Sequence, residues 1–246
     1  MNNQSCINLK KEHFQIKQTI VTIISEKNVY IEEAKKEIIH RRNQIEEYIR
    51  KNNIFEACFK PFNYKYYDPE IIKKMCTSSE KFNIGPMSTV AGIIAEYAVK
   101  AMISKGSKYA IVDNGGDIAI YSDKLINVGI YTGNKKTAGL AFQIQPQNKI
   151  SGICTSSGKV GHSFSFGNSD AVTVFSGNIA LADAAATILG NLVNTKSDIK
   201  KAFKILNGIK EITGAMIIID EKIGLWGKIP KIVPADVSYN LITRGW

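Results

Sequence analysis

A chain of 246 residues, 44% of them hydrophobic, is long enough to bury a large core and lies near the upper limit of what one core supports, so we predict a single domain over residues 1–246. The formal net charge of +10 favours an anionic partner, such as a nucleotide or a phosphate-bearing cofactor. The lysines and arginines are mixed with glutamates along predicted helical faces, which is typical of solvated surface, so nucleic acid is not an expected partner.

Neither an export signal nor a membrane span is predicted. Charged residues interrupt the N-terminal segment at positions 10–12, and every apolar run is too short to cross a bilayer. The cysteines show no C-x-x-C spacing, which fits a reducing compartment; they are Cys6, Cys58, Cys76 and Cys154. We therefore expect a soluble, cytoplasmic protein with no membrane partner.

Strands and one long helix are predicted at the start of the chain. Residues 14–24 are rich in β-branched side chains and predict one or two strands. Residues 30–51 repeat apolar side chains at helical spacing and predict an amphipathic helix laid on the sheet. Residues 55–67 form an aromatic segment with a proline, which we interpret as a loop that either caps a core or offers rings for base stacking.

A second helical region follows. A short helix near residues 71–76 precedes a Gly-Pro turn at 85–86, and either Ser88 or Thr89 is expected to cap a long helix of small residues at 90–104. A helix N-terminus behind such a turn attracts anions, so Ser88 is a candidate cofactor-binding residue.

The rest of the chain alternates β-rich runs with helices. The β-rich runs lie at residues 109–112, 118–121, 127–131, 138–144 and 172–175. Their short linkers favour antiparallel pairing. Helices at 181–193 and 198–206 and a closing hairpin at 214–219 and 223–226 complete the chain. This order predicts an α+β fold with mixed or antiparallel sheets and packed helices.

Two consecutive glycines interrupt one of these β-rich runs. Gly115 and Gly116 can expose backbone N–H groups and let a phosphate or a flavin approach closely, with Asp117 beside them as a third candidate cofactor-binding residue. The alternative interpretation is a tight hairpin turn, because Asn-Gly is the strongest short-range signal for such a turn.

Hydroxyl groups, glycines, one thiol and one imidazole are concentrated at residues 153–167, which predicts a polar loop. The candidate cofactor-binding residues in it are Thr155, Ser156, Ser157 and Gly158, and the candidate catalytic residues are Cys154 and His162. Their N–H and O–H groups can surround a phosphate or the edge of a flavin. The alternative is a serine-rich surface loop that binds nothing.

A carboxylate and a hydroxyl lie four residues apart on the predicted helix at 181–193. These are Asp183 and Thr187, and their spacing places them on one helix face. Hard oxygen donors of this kind suit Mg²⁺, with phosphates and waters completing its coordination shell. The alternative is an aspartate favoured by the helix dipole and a threonine that bonds to its own helix.

Taken together and in this order, these segments resemble the ApbE-like superfamily, whose best-known members are FAD:protein FMN transferases. The similarity is carried by four stretches: residues 92–99 resemble G-G-I-A-K-G-Y-A-V, residues 114–117 resemble N-x-G-G-D, residues 155–158 resemble the T-S-G turn, and residues 182–187 resemble A-D-x-x-A-T. A smaller branch that carries G-P-M-x-x-V-A-G and C-T-S-S-G-x-x-G-H-S-x-S-F-G is a closer match still.

The resemblance implies an α+β fold, FAD or FMN in the pocket, and Mg²⁺ held partly by Asp183 and Thr187, with Asp183 also in a catalytic role. Two features depart from the transferase pattern. The K-G step of the helix motif falls on Ala95 and Glu96, and the H-x-x-D-P-x-T-G segment that follows the T-S-G turn is replaced by residues 162–167.

Three functions therefore stay open. The first is Mg²⁺-dependent flavin phosphoryl chemistry of the transferase type, with a flavin nucleotide as the small-molecule partner. The second is a thiol-based role in sulfide assimilation, in which loop N–H groups, Lys159 and His162 lower the pKa of Cys154. The third is ligand binding without a reaction, because a fold does not fix a function. A homo-oligomer is compatible with all three.

Overall fold

The computed structural model describes residues 8–130, 139–157 and 167–235, and the structural statements below refer to these residues. The helices are α1 (Asn28–Lys51), α2 (Ile54–Ala57), α3 (Glu70–Glu80), α4 (Val90–Ser104), α5 (Ile179–Leu192) and α6 (Ile199–Ala202). The strands are β1 (Lys10–Ile16), β2 (Thr19–Ser25), β3 (Tyr109–Asn114), β4 (Asp117–Ser122), β5 (Ile126–Gly129), β6 (Leu140–Ile144), β7 (Gln147–Ser156), β8 (Ala171–Ser176), β9 (Ile212–Ile219), β10 (Lys222–Gly227) and β11 (Lys231–Pro234).

The strands form two antiparallel sheets. The large sheet has eight strands in the order β1-β2-β3-β4-β7-β8-β9-β10, and the small sheet has three in the order β11-β6-β5. Neighbouring strands of the large sheet are mostly consecutive in sequence, and every pairing described is antiparallel. The predicted α+β fold with antiparallel sheets and packed helices is confirmed.

The large sheet lies in the middle of three layers. Alternate side chains of its central strands, such as Ala110, Val112 and Ala119, pack with the helices into one hydrophobic core. The intervening side chains, such as Ile111 and Ile120, pack against the small sheet in a second core. Helices α1, α4 and α5 therefore cover one face of the large sheet, and the small sheet covers the other.

Most of the predicted elements are present, with three omissions. The one or two strands expected within residues 14–24 are β1 and β2, the helix predicted at 90–104 matches α4, and the closing hairpin is β9 and β10. The sequence interpretation missed α2, β7 and β11. Strand β7 has ten residues, and the first three are Gln147-Asn148-Lys149. These three have the composition of a turn, so the start of β7 gives no apolar pattern.

The aromatic segment before α3 mainly caps the helical core. Phe55 is fully buried, and its ring meets the rings of Tyr48 and Phe62 edge to face at 5.0 and 5.1 Å. Phe59 and Tyr66 lie at the surface, with 79% and 87% of their area exposed. The capping interpretation thus holds for Phe55 and Phe62. Among the described residues, no helix is long and apolar enough to cross a membrane.

Candidate functional site

The N-terminus of α4 is capped by a residue from α5. The Gly92 N–H donates a hydrogen bond of 2.8 Å to Oδ2 of Asp183, and the Ala91 N–H lowers the pKa of the same carboxylate. The first N–H groups of a helix have no partner within the helix, so an acceptor from elsewhere satisfies them. Asp183 therefore joins α4 to α5 at the point where α4 begins.

Ser88 and Thr89 do not cap α4, and this sequence prediction is wrong. The Ser88 hydroxyl donates to the Gly85 carbonyl at 2.6 Å, and the Thr89 hydroxyl donates to the Pro86 carbonyl at 2.8 Å. Both hydroxyls stabilise the single 3₁₀ turn that leads into α4. The anion expected at this helix N-terminus is the carboxylate of Asp183 itself.

Asp117 and Cys154 face the same region from the sheet. The two residues are directly opposite each other in the β4–β7 pair, and the Asp117 carboxylate raises the pKa of the Cys154 thiol. Because side chains alternate between sheet faces, both point to the helix-covered face, as their neighbour Ala119 does. The thiol also lies 3.5 Å from the Ile179 carbonyl of α5. Strands β4 and β7 thus present a carboxylate and a thiol to α5.

The two carboxylates of this region share a raised affinity for protons. Burial raises the pKa of Asp183 to about 7, although the Gly92 and Ala91 N–H groups lower it in part. Burial and the charge of Asp183 raise the pKa of Asp117 well above its ordinary value. Within the described part of the chain, neither carboxylate forms an ion pair with a lysine or arginine. Their negative charge is therefore not compensated by a described side chain.

Thr187 lies one helical turn after Asp183 on α5 and is half-buried, in agreement with the predicted common face. Over residues 8–130, 139–157 and 167–235, no group of three or more histidine, cysteine or acidic side chains is arranged to hold a metal ion. A cation at Asp183 and Thr187 would therefore need further ligands from a bound phosphate or from water, which is common for Mg²⁺.

The double glycine forms a tight hairpin turn, as the alternative interpretation had it. Gly115 and Gly116 have φ of 69° and 102° and connect Asn114 to Asp117, which pair across the hairpin. Two central residues with positive φ are typical of a type I′ turn. The Gly116 N–H donates to Asp113 at 2.9 Å, so the expectation that this N–H is free for a phosphate is wrong.

The predicted polar loop divides between a strand and residues outside the described ranges. Thr155 and Ser156 belong to β7, and the Thr155 hydroxyl meets that of Thr173 at 3.0 Å on the face away from Cys154. The Ser157 hydroxyl donates to the Asp170 carbonyl at 2.7 Å. Gly158, Lys159 and His162 lie outside the described residues.

The sequence matches the family model described as AbpE bacteria over residues 4–205, which is most of the chain. The chain belongs to this family. The predicted resemblance to the ApbE-like superfamily is thereby confirmed.

Relatives of this AbpE bacteria chain are similar to it over nearly its whole length. A UPF0280 protein from Methanosarcina barkeri is 46% identical over 95% of this chain and 93% of its own length. A UPF0280 protein from Archaeoglobus fulgidus is 41% identical over 96% of this chain and all of its own length.

Solved structures show the fold. The apo flavinyl transferase ApbE of Pseudomonas stutzeri has a TM-score of 0.51 at 12% identity, covering 97% of this chain and 98% of that one. The ApbE protein of Thermotoga maritima has a TM-score of 0.52 at 12% identity, covering 97% of this chain and all of that one. At this identity the likeness establishes the ApbE fold for this AbpE bacteria chain.

Glu96, at the position where the helix motif departs from the transferase pattern, is 97% buried. Its Oε1 accepts from both Lys74 on α3 and Lys100, the latter at 2.7 Å. Burial lowers the pKa of Lys74, and the charge of Glu96 partly offsets this. The AbpE bacteria chain thus replaces the glycine of the motif by a buried acid that ties α3 to α4.

Two asparagines that the sequence interpretation did not select also position the site. Asn114 Nδ2 donates to the Ala91 carbonyl at 3.0 Å and so fixes the start of α4 against β3. Asn178 Oδ1 accepts from the Leu181 N–H at 3.3 Å and caps α5. An asparagine just before a small-residue helix was the available sequence signal for Asn178.

The environment of Cys154 is opposite to the one expected for a reactive thiol. Burial raises the pKa of Cys154 well above its ordinary value, and the carboxylates of Asp117 and Asp183 raise it further. The side chain has no exposed area. The predicted lowering of this pKa is wrong for the described surroundings, because they contain two acids and no described cation. The structure therefore shows a small buried cysteine near the end of a strand.

We expect Cys154 to resist alkylation in the folded protein. The thiolate is the reactive form, and burial with two carboxylates keeps the proton on sulfur. Iodoacetamide at pH 8, followed by peptide mass spectrometry, should label Cys58, which is half-exposed, at least about 100 times faster than Cys154. Labelling in urea provides the control in which both react. Equal native labelling rates would contradict this assignment.

Proposed function

We propose that this chain binds a flavin nucleotide with Mg²⁺ beside Asp117 and Asp183, and that it acts on the pyrophosphate bond of FAD. In the reaction proposed, a hydroxyl oxygen of an acceptor or of water forms a bond to the FMN phosphorus, and the bond from that phosphorus to AMP breaks. AMP leaves, and the hydroxyl proton passes to a base. The Pseudomonas stutzeri relative in fold carries the name flavinyl transferase, and the reaction proposed is a flavinyl transfer when the hydroxyl belongs to an acceptor.

The observation that supports this proposal is the meeting of Asp117 and Asp183 from two different elements. Each pKa is raised by burial, and the charge of Asp183 raises the pKa of Asp117 further. Two acids without a described counter-charge are costly to ionise in a buried setting. A divalent cation would compensate both charges, so the pair fits a hard cation better than it fits an isolated structural role.

Asp183 and Thr187 would hold Mg²⁺, with the ligand's phosphate oxygens and waters as the remaining partners. When bound, Mg²⁺ neutralises the negative charge that develops on the pyrophosphate. Asp183 keeps its cap on α4 through Oδ2, which leaves Oδ1 for a cation. Asp117, with its raised pKa, is a stronger base than an ordinary aspartate and would accept the proton of the attacking hydroxyl.

We expect FAD and Mg²⁺ to bind together and more tightly as the pH rises through about 7. Cation binding needs the ionised carboxylate, and the pKa of Asp183 is raised to about 7, so the ionised fraction grows across this range. Titration of FAD fluorescence with and without Mg²⁺ at pH 6, 7 and 8 measures the binding. Chromatographic detection of FMN and AMP in the same mixtures measures the reaction.

The outcomes separate the proposal from a second candidate. FMN and AMP release supports the flavin phosphoryl reaction, whereas Mg²⁺-dependent FAD binding without release supports a binding protein. The buried Glu96 in place of the motif glycine is the observation that favours the second candidate. If FAD and FMN do not bind at any of the three pH values, with or without Mg²⁺, both candidates are wrong.

A further inference from the structure

The two edges of the eight-stranded sheet differ in their chemistry. Strand β1 at one edge begins with three charged residues at positions 10–12, and charged side chains on an edge discourage pairing with another strand. Strand β10 at the other edge has no charged side chain at positions 223–227. Ile223 and Leu225 are 46% and 55% exposed there. The β10 edge therefore lacks the protection that the β1 edge has.

The backbone of β10 offers hydrogen-bonding groups on the same edge. Its hairpin with β9 is closed by a two-residue turn between Ile219 and Lys222, which pair with each other. In such a hairpin the closing pair exchanges hydrogen bonds, and successive residues alternate between bonding inward and outward. Ile223 and Leu225 thus direct their N–H and C=O groups away from β9, where the described part of the chain places no strand.

We propose that β10 pairs antiparallel with β10 of a second copy of this chain, around a two-fold axis at Gly224. In this register Ile223 lies opposite the partner's Leu225, and the same pair occurs twice. The four apolar side chains are on one face, because residues 223 and 225 share the face that carries Met216 and Ile218 of β9. The pairing joins two eight-stranded sheets into one continuous sheet.

The charges flanking the apolar stretch favour this register over its neighbour. An axis at Leu225 would set Lys222 opposite the partner's Lys228, and like charges directly opposite each other destabilise a strand pair. An axis at Gly224 instead brings Lys228 near the partner's Asp220, which carries the opposite charge. Of these two antiparallel arrangements, the edge is complementary to itself in the one centred on Gly224.

Sedimentation equilibrium of the full chain at up to about 100 µM tests the proposal. We expect a dimer for the unmodified chain. Leu225→Lys and Ile223→Glu should each weaken association by at least about tenfold, since each places a charge against an apolar partner. Leu192→Lys is the matched control, because Leu192 is a similarly exposed leucine, at 43%, near the end of α5, and this change should leave the dimer intact.

The double variant Ile223→Glu with Leu225→Lys tests the register. An axis at Gly224 sets each introduced carboxylate opposite an introduced ammonium, so association should return toward the level of the unmodified chain. Thermal unfolding followed by circular dichroism confirms that each variant is folded. A monomer for the unmodified chain, a dimer indifferent to the single changes, or a double variant that remains monomeric would each overturn the proposal.

Discussion

Asp183→Ala and Asp183→Asn should separate the structural role of this carboxylate from its charge. The alanine variant leaves the Gly92 N–H group without its acceptor, so we expect a loss of about 1–3 kcal/mol in the free energy of unfolding at pH 5. The asparagine variant keeps an acceptor oxygen and should unfold near the wild-type midpoint at pH 5. Urea unfolding followed by fluorescence measures both, and neither variant should bind FAD in an Mg²⁺-dependent manner.

The pH dependence of the same comparison has a defined sign. Because the pKa of Asp183 is raised in the folded state to about 7, the folded chain holds more protons than the unfolded chain between about pH 4 and pH 7. The contribution of this group to stability is therefore lost as the pH rises through that window. Asp183→Asn has no carboxyl group to titrate, so it does not lose this stability and should be more stable than the wild type at pH 8. A difference of one unit between the folded and unfolded pKa corresponds to about 1.4 kcal/mol.

If the difference in unfolding free energy between the wild type and Asp183→Asn is the same at pH 5 and pH 8, the pKa of the Asp183 carboxylate is not raised. If both variants retain Mg²⁺-dependent FAD binding, Asp183 does not belong to the proposed cation site. The capping role is tested separately, by the urea unfolding of Asp183→Ala.

Gly92→Val should damage both stability and ligand binding. A Cβ at this position would lie 2.9 Å from the Asp183 Cβ and 2.9 Å from the Ile179 carbonyl, so α4 and α5 must move apart. Overpacking of this kind costs about 1–3 kcal/mol. Because the displaced carboxylate no longer sits at the start of α4, we also expect the affinity for Mg²⁺ with FAD to fall by about tenfold or more.

Ser104→Val is the control for this change, since it introduces the same β-branched side chain on the same helix at an exposed position away from Asp183. It should cost less than about 1 kcal/mol, which is the propensity range for such residues in helices. If the two valine variants lose equal stability and Gly92→Val keeps its ligand affinity, close packing at Gly92 is not what positions Asp183.

The parts of this fold that local pattern controls could be predicted from the sequence. Helix α4 is built mainly of apolar and small residues at 90–104, interrupted by Glu96 and Lys100, and the β9–β10 hairpin has an apolar run on each side of a short polar turn. The Asn-Gly signal predicted the turn at Gly115. These features depend on residues within a few positions of each other, so a single sequence contains what determines them.

The site depends on contacts between distant residues and was predicted less well. The cap of α4 comes from Asp183 and not from the adjacent Ser88, because the tertiary packing of α5 places a stronger acceptor there. Cys154 was assigned to a loop because hydroxyl-rich residues follow it, yet β7 buries it beside two acids, and this reverses the direction of its pKa. A local sequence pattern does not determine which helix will pack against a given strand.

The bond between Gly92 and Asp183 spans 91 residues of chain. During synthesis, α4 must leave the ribosome long before its cap exists, and the acidic pair with Asp117 is incomplete until α5 has emerged. Contacts of such sequence separation form late in folding. A nascent or proteolytic fragment that ends before α5 would therefore contain the glycine turn and α4 but would lack the Asp183 cap and the acidic pair.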